Sequence, residues 1–124
     1  MGFTGRQLWA DAEPERLATG AAWLEGPTWV GDRLLVSDIP GNRVLSWREG
    51  RSEFEVAIPG AEFSNGRTLA RDGHVYQCSH GRRGVEELRP DLTTTPLVDR
   101  YEGVRLNSPN DLVVARDAAR LAGG

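Results

Sequence analysis

The chain contains no lysine and a single cysteine. With Cys78 alone, no intrachain disulfide can form, so the fold has to be held by its core. Its setting in Val75-Tyr-Gln-Cys-Ser79, a strand-like run, reads as a buried structural thiol rather than a nucleophile. All fifteen positive residues are arginine and they are scattered; with eighteen acidic residues the net charge is −3. No basic stripe results, which argues against nucleic acid as a partner. No apolar run approaches the roughly eighteen residues of a membrane span. The segment Met1-Gly-Phe-Thr-Gly-Arg-Gln-Leu-Trp9 lacks the apolar region of a secretory signal. A cytoplasmic setting is therefore the expectation. The two histidines, His74 and His80, are not spaced as a zinc pair.

What is present is a rhythm of short apolar runs separated by turn residues. From Pro27 onward the runs recur about every eight to twelve positions, which points to an all-β sandwich, barrel or propeller. Four strands are expected first: Thr28–Val30, Leu34–Asp38, Arg43–Trp47 and Ser52–Val56. Gly31-Asp32 turns the first pair, and Pro40-Gly41 fits a type II turn between the second and third. A second unit repeats the plan with Arg67–Ala70, His74–Ser79, Val85–Leu88 and Thr95–Asp99, its first pair joined by the hairpin signal Asp72-Gly73. A third unit starts with Leu112-Val113-Val114, read as a buried strand. There Ala118 replaces the turn glycine, and Asp117-Ala-Ala-Arg-Leu-Ala122 reads as a helical turn or a frayed tail.

Three loop-to-strand entries stand out: Glu25-Gly-Pro-Thr-Trp-Val, Asn65-Gly-Arg-Thr-Leu-Ala and Asn110-Asp-Leu-Val-Val. Glu25, Asn65 and Asn110 follow one another at steps of 40 and 45 residues, a spacing expected of propeller blades. They are expected at equivalent places, each at the start of an innermost strand. Taken alone, the residues leave plainer readings open. Glu25 can be a solvated loop carboxylate, Asn110 an Asx-turn residue, and Asn65 either a channel residue or a turn former. Asp111 reads as structural and Arg82-Arg83 as solvated loop charge. His80 reads as a loop residue, and Trp23, Trp29 and Trp47 read as blade packing. Gly81 and Gly84 make no phosphate loop, because no helix follows.

Taken together, Glu25-Gly-Pro-Thr-Trp29, Ser37-Asp-Ile-Pro-Gly-Asn-Arg-Val-Leu-Ser-Trp47, Ser79-His-Gly-Arg-Arg-Gly84 and Asp99–Val114 resemble one known family. It is the senescence marker protein (regucalcin)/gluconolactonase/luciferin-regenerating enzyme family, and the likeness is to its gluconolactonase branch over roughly residues 17–116. The resemblance implies a six-bladed β-propeller, of which roughly 240–270 residues would make the whole. It therefore matches the N-terminal portion. The expected organisation is an arm over residues 1–20, two blades and the first strand of a third over 21–117, and a non-family tail over 118–124.

The resemblance also implies a metal-dependent hydrolase of sugar lactones, with a divalent cation in the central channel. Ca²⁺ is the expected ion, with Mg²⁺, Mn²⁺ or Zn²⁺ as alternatives. Glu25 matches the family's metal-ligating glutamate, and Asn110 a pocket asparagine that binds substrate or metal-bound water. Ser108 stands where animal members carry an arginine, so their substrate contacts do not transfer. The family's later asparagine and its catalytic aspartate have no counterpart, and no complete catalytic set is expected in this chain. The alternative expectation is a non-catalytic propeller fragment that associates with itself or with a chain supplying further blades.

Overall fold

Pleated strands with one buried face need a second layer, and here two blades supply it to each other. The computed structural model describes residues 13–116. It holds two four-stranded antiparallel sheets, each in simple sequential order. The first blade is β1 (Leu24–Val30), β2 (Arg33–Asp38), β3 (Arg43–Trp47) and β4 (Glu55–Pro59). The second is β5 (Ser64–Leu69), β6 (Val75–Ser79), β7 (Gly84–Leu88) and β8 (Thr94–Val98). A short ribbon of β9 (Arg100–Tyr101) and β10 (Val104–Arg105) follows. The result is a partial β-propeller with no closed sheet. Expectations for residues 1–12 and for the tail from Asp117 lie outside the described residues.

The turns show how sequence selects geometry. Val30 pairs with Arg33 across a two-residue loop, and only Gly31 has positive φ (64°), the signature of a type II′ turn. At Ala70–Gly73 the Gly73 N–H donates to Ala70 O (3.0 Å) and Gly73 takes φ 91°, a three-residue hairpin loop closed by a left-handed glycine. The type II turn expected at Pro40-Gly41 does not form. Asn42 N donates to Ile39 O, and Asn42 rather than Gly41 carries the positive φ, 48°. Asparagine tolerates that conformation, and here it is held there from the second blade's side. Asn42 Oδ1 accepts from Phe63 N at 2.7 Å and Asn42 O from Ala61 N at 2.9 Å. Gly41 is needed for room instead, since a Cβ there would lie 2.9 Å from Asp38 Oδ2 and from Arg43 Nε.

Two other expectations shift. The fourth strand runs Glu55–Pro59, not Ser52–Val56. Ala57 and Ile58 pack on the core, and Pro59, which has no N–H to donate, is tolerated at the end of this outermost strand. Leu112-Val113-Val114 is not a strand, and Val113 is 89% exposed. The run has strand composition but no ladder partner among the described residues, and a strand exists only by pairing.

The core lies between the blades: Leu35, Val44, Ala61, Val75 and Leu88, flanked by Val30, Ala57 and Ile58. Beside this apolar layer runs a polar one. Arg67 on β5, Gln77 on β6 and Glu86 on β7 are cross-strand neighbours, and all three are buried. Arg67 donates from Nε and Nη2 to Gln77 Oε1 (3.1 and 3.0 Å), from Nη1 to Gly26 O (3.1 Å) and from Nη2 to Ser37 Oγ (3.0 Å). Gln77 Nε2 donates in turn to Glu86 Oε1 at 2.8 Å. Burial lowers the Arg67 pKa to about 10 against the opposing pull of Glu86, so the guanidinium stays charged at neutral pH. This one side chain ties both blades together.

Cys78 is fully buried, as its strand setting implies. Burial, aided by the charge of Asp111, pushes its thiol up to about 11. The folded protein is expected to leave an aromatic disulfide reagent unreacted at pH 8, and to release one equivalent of thiol only in denaturant. Rapid titration of Cys78 in the native state would contradict this placement.

Candidate functional site

The innermost strand of each blade carries a β-bulge, and both bulges fall at the residues the sequence singles out. Ladder pairing skips from Glu25↔Ser37 to Thr28↔Leu35 on β1, and from Ser64↔Ser79 to Arg67↔Gln77 on β5. One extra residue in each strand re-aims the side chains at its mouth. The register also corrects the expected equivalence: Glu25 corresponds to Ser64, and Asn65 lies one place further on, inside the bulge. The offset matters because one residue along a strand is a change of face.

The bulges let the two strands touch. Gly26 (φ 60°) lies so close to Asn65 that a Cβ there would overlap Asn65 O. Ser37 Oγ donates to the same carbonyl at 3.0 Å, and Thr28 Oγ1 donates to Arg67 O at 3.2 Å. The third entry docks on the second in a comparable way. Gly66 N donates to Asn110 O at 2.8 Å, and a Cβ on Gly66 would overlap Asp111. Residues leading into this docking are pinned as well, with Arg83 Nε donating to Leu106 O and Ser108 Oγ to His80 O.

Side chains converge accordingly. Asn65 Nδ2 donates to Asn110 Oδ1 at 2.7 Å and stands 3.2 Å from His80 Nε2. Asn65 is buried, whereas Asn110 and Ser108 are exposed and His80 and Glu25 are half-buried. Glu25 Oε1 accepts from Trp23 Nε1 at 3.3 Å. Trp23, expected as packing, is 65% exposed and flanks this carboxylate instead. Asp38 anchors the approach to β1. Burial pushes its pKa up, but the Arg43 hydrogen bond, the Trp23 and Ala22 N–H groups and the Arg43 charge outweigh this and leave it lowered.

Among the sequence-derived residues, then, Asn65 and Asn110 meet directly. Ser108 joins them through His80, whereas Glu25 makes no hydrogen bond to any of them among the described residues; it only shares β1 with Gly26, which touches β5 at Asn65. His80 is the member that reads from the sequence as a loop residue; the signals for it were its place directly after a strand end and its position in the Ser79–Gly84 segment of the resemblance. Asp111 makes the structural contacts expected of it, with Oδ1 accepting from Leu112 N at 2.9 Å.

A hard divalent cation takes six or more oxygen ligands, several of them carboxylates. Among the described residues no group of three His, Cys, Asp or Glu side chains could hold a metal. Asn110 Oδ1 is turned towards Asn65, from which it accepts. Glu25 fits as one ligand, but this set alone does not complete a cation site. Two clefts, of about 470 and 660 Å³, lie elsewhere: one at the opposite ends of the strands around Asp32 and Gly73, one beside Trp47 and Arg51. Neither includes Glu25, Asn65 or Asn110. The site is placed by its converging polar groups rather than by cleft size.

Comparison with known proteins gives one consistent picture. Residues 23–124 match the model of the SMP-30/Gluconolactonase/LRE-like region. A gluconolactonase of Zymomonas mobilis is 35% identical over 120 residues, covering 85% of this chain and 34% of that protein. A solved gluconolactonase of Xanthomonas campestris is 43% identical with a TM-score of 0.73, covering 78% of this chain and 33% of that one. A second solved structure, provisionally named a gluconolactonase, is 36% identical with a TM-score of 0.80 over 88% of this chain and 38% of its own. The chain thus spans about a third of the length of the relatives it matches.

Proposed function

The chain belongs to the SMP-30/gluconolactonase/LRE-like family, and from that premise we propose that it contributes one side of a site that hydrolyses sugar lactones. The observation that carries this reading is the docking of Asn110 on Asn65, beside the strand that presents Glu25. A lactone offers a carbonyl and several hydroxyls, and carboxamides and a carboxylate at one mouth suit such oxygen-rich ligands. Asn110 would orient the substrate, with Asn65 and Ser108 bordering it. Glu25 would supply one ligand to a divalent cation, Ca²⁺ in the first instance, whose bound form would polarise the lactone carbonyl. The residues of this chain bind and orient. No general base is assigned among them, so the chain by itself is not expected to turn over substrate rapidly.

A second reading is favoured by a specific observation. Trp23 just before the first blade, Trp29 and Val56 on it, Leu97 on the second and Tyr101 and Val104 on the ribbon beyond are large apolar side chains left exposed. Such patches mark interaction surfaces. On this reading the unit is a non-catalytic assembly module that pairs with itself or with a chain carrying further blades.

Terbium(III) in place of the cation separates the two. Glu25 alone holds a cation only weakly, so terbium is added in large excess; because Trp23 touches Glu25, a lanthanide there should show indole-sensitised emission that excess Ca²⁺ quenches by competition. Glu25→Ala should abolish the signal and Trp23→Phe should dim it. In parallel, hydrolysis of D-glucono-1,5-lactone is followed against the spontaneous rate. Sensitised emission dependent on Glu25 supports the lactonase reading even without turnover. No emission and no turnover, with mass that rises with concentration in sedimentation, supports the assembly module.

A further inference from the structure

The carboxamide of Asn65 presents an unequal account of its two ends. Its Nδ2 faces Asn110 Oδ1 and His80 Nε2, while its Oδ1 is buried with no hydrogen-bond partner. Leaving a buried polar atom unpaired forfeits its hydration without replacement, so the orientation calls for a reason. The opposite orientation would turn both asparagine amides together. Asn110 Nδ2 and a His80 Nε2–H would then donate to Asn65 Oδ1, and the buried orphan would be an NH₂ with two unused protons. Orphaned N–H groups are rarer than under-satisfied carbonyls. The carbonyl is therefore the end left over, and three consequences follow.

Asn65 spends both of its protons. His80 must then present a lone pair at Nε2, which makes it the neutral tautomer protonated at Nδ1. Asn110 has its carbonyl turned towards Asn65, which takes one of its lone pairs, and its Nδ2 makes no hydrogen bond among the described residues. Since Asn110 is exposed, that amino group is what it can offer to a ligand.

We infer that Asn65 is a positioning residue: it fixes Asn110 so that the mouth of the site presents an amide N–H donor, suited to a carbonyl or hydroxyl oxygen of the ligand, rather than an oxygen for the cation. This deepens the lactonase reading and rests on it for the identity of the ligand. Asn110 thereby sorts with substrate, and Glu25 with the metal. Both blades contribute, because Asn65 is itself held by Ser37 and crowded by Gly26 from the first.

The test is nuclear magnetic resonance on the full chain labelled with ¹⁵N, comparing the wild type with Asn65→Asp. The aspartate has the same shape but offers oxygens at both positions. In the wild type His80 should be protonated at Nδ1 with a bare Nε2. In Asn65→Asp it should carry its proton at Nε2, donating to the new carboxylate, while the dispersion of the backbone spectrum shows the fold intact. Asn65→Ala is the second variant: it should release His80 to a mixture of tautomers. A wild-type His80 protonated at Nε2 would overturn the inference. So would a tautomer that is the same in all three proteins.

The ligand arm uses D-glucono-1,5-lactam, an isostere that is not hydrolysed. Its titration should shift the Asn110 side-chain NH₂ resonances, and Asn65→Asp should weaken binding about tenfold. Equal binding by both proteins would overturn the donor role. A lactam that binds neither refutes the sugar-lactone reading, and the tautomer alone then decides the positioning.

Discussion

Replacing Arg67 with methionine is expected to lower the free energy of unfolding by about 3–5 kcal/mol, because it breaks a buried charged network by removing one partner. The guanidinium satisfies Gln77 Oε1, Gly26 O and Ser37 Oγ, and it compensates Glu86. Methionine fills much of the volume but donates nothing. Glu86 is already poorly served at one oxygen. Its Oε2 has no hydrogen bond, and the nearest cation, Arg82 Nη1, is 3.7 Å away. Without Arg67 the carboxylate would be buried with less to offset it. Small domains are stable by only about 5–15 kcal/mol, so the variant should unfold at much lower urea concentration. Adding Glu86→Gln should recover part of the loss, since an amide is cheaper to bury than a charge. If Arg67→Met changes the midpoint by less than the equivalent of about 1 kcal/mol, the network is not what joins the blades.

Gly26→Ala is the second large effect, and Gly31→Ala is its internal control. Both glycines have positive φ, 60° and 64°, so both substitutions incur the left-handed penalty of about 1–2 kcal/mol. Only at Gly26 would the added Cβ also overlap the other blade, at Asn65 O, whereas a Cβ on Gly31 meets nothing within 4 Å. Forcing a methyl into packed backbone adds about 1–3 kcal/mol. The difference between the two variants therefore reports the approach of β1 to β5. Gly26→Ala should also disturb the site, by shifting Asn65. Equal losses in the two variants, measured by chemical denaturation, would mean that the blades do not approach so closely.

Most of the fold was legible because turn chemistry and strand composition act locally. Arg43–Trp47 appears as a strand with the bounds its flanking turn residues imply, and Asp72-Gly73 closes its hairpin. The errors have physical causes. Pro40-Gly41 looked like a type II turn because glycine accepts positive φ most cheaply, yet Asn42 takes that role through contacts from residues 61 and 63. Leu112–Val114 has the right composition, but pairing is a property of a partner that composition does not reveal. Arg67, Gln77 and Glu86 were illegible as a set. Polar residues alternating along strands look like a solvent face, and only the packing of one blade on the next makes that face an interior.

The site was legible in its members more than in its geometry. Glu25 and Asn110 stood out through the resemblance, and Asn65 through spacing. The bulges, which insert a residue that no pattern announces, set Asn65 one place off the position matching Glu25. They also make it the hub between Asn110 and His80. His80 was marked only by its place directly after a strand end, within the Ser79–Gly84 segment of the resemblance.

The most direct test of the whole account is the through-hydrogen-bond scalar coupling between the Gly66 amide nitrogen and the Asn110 carbonyl carbon in doubly labelled protein. Docking of the third entry on the second rests on that bond, at 2.8 Å. A resolved coupling, with slow exchange of the Gly66 amide, is the predicted result. A Gly66 amide that exchanges at the rate of an unstructured chain and shows no coupling would contradict it, and would separate Asn110 from Asn65.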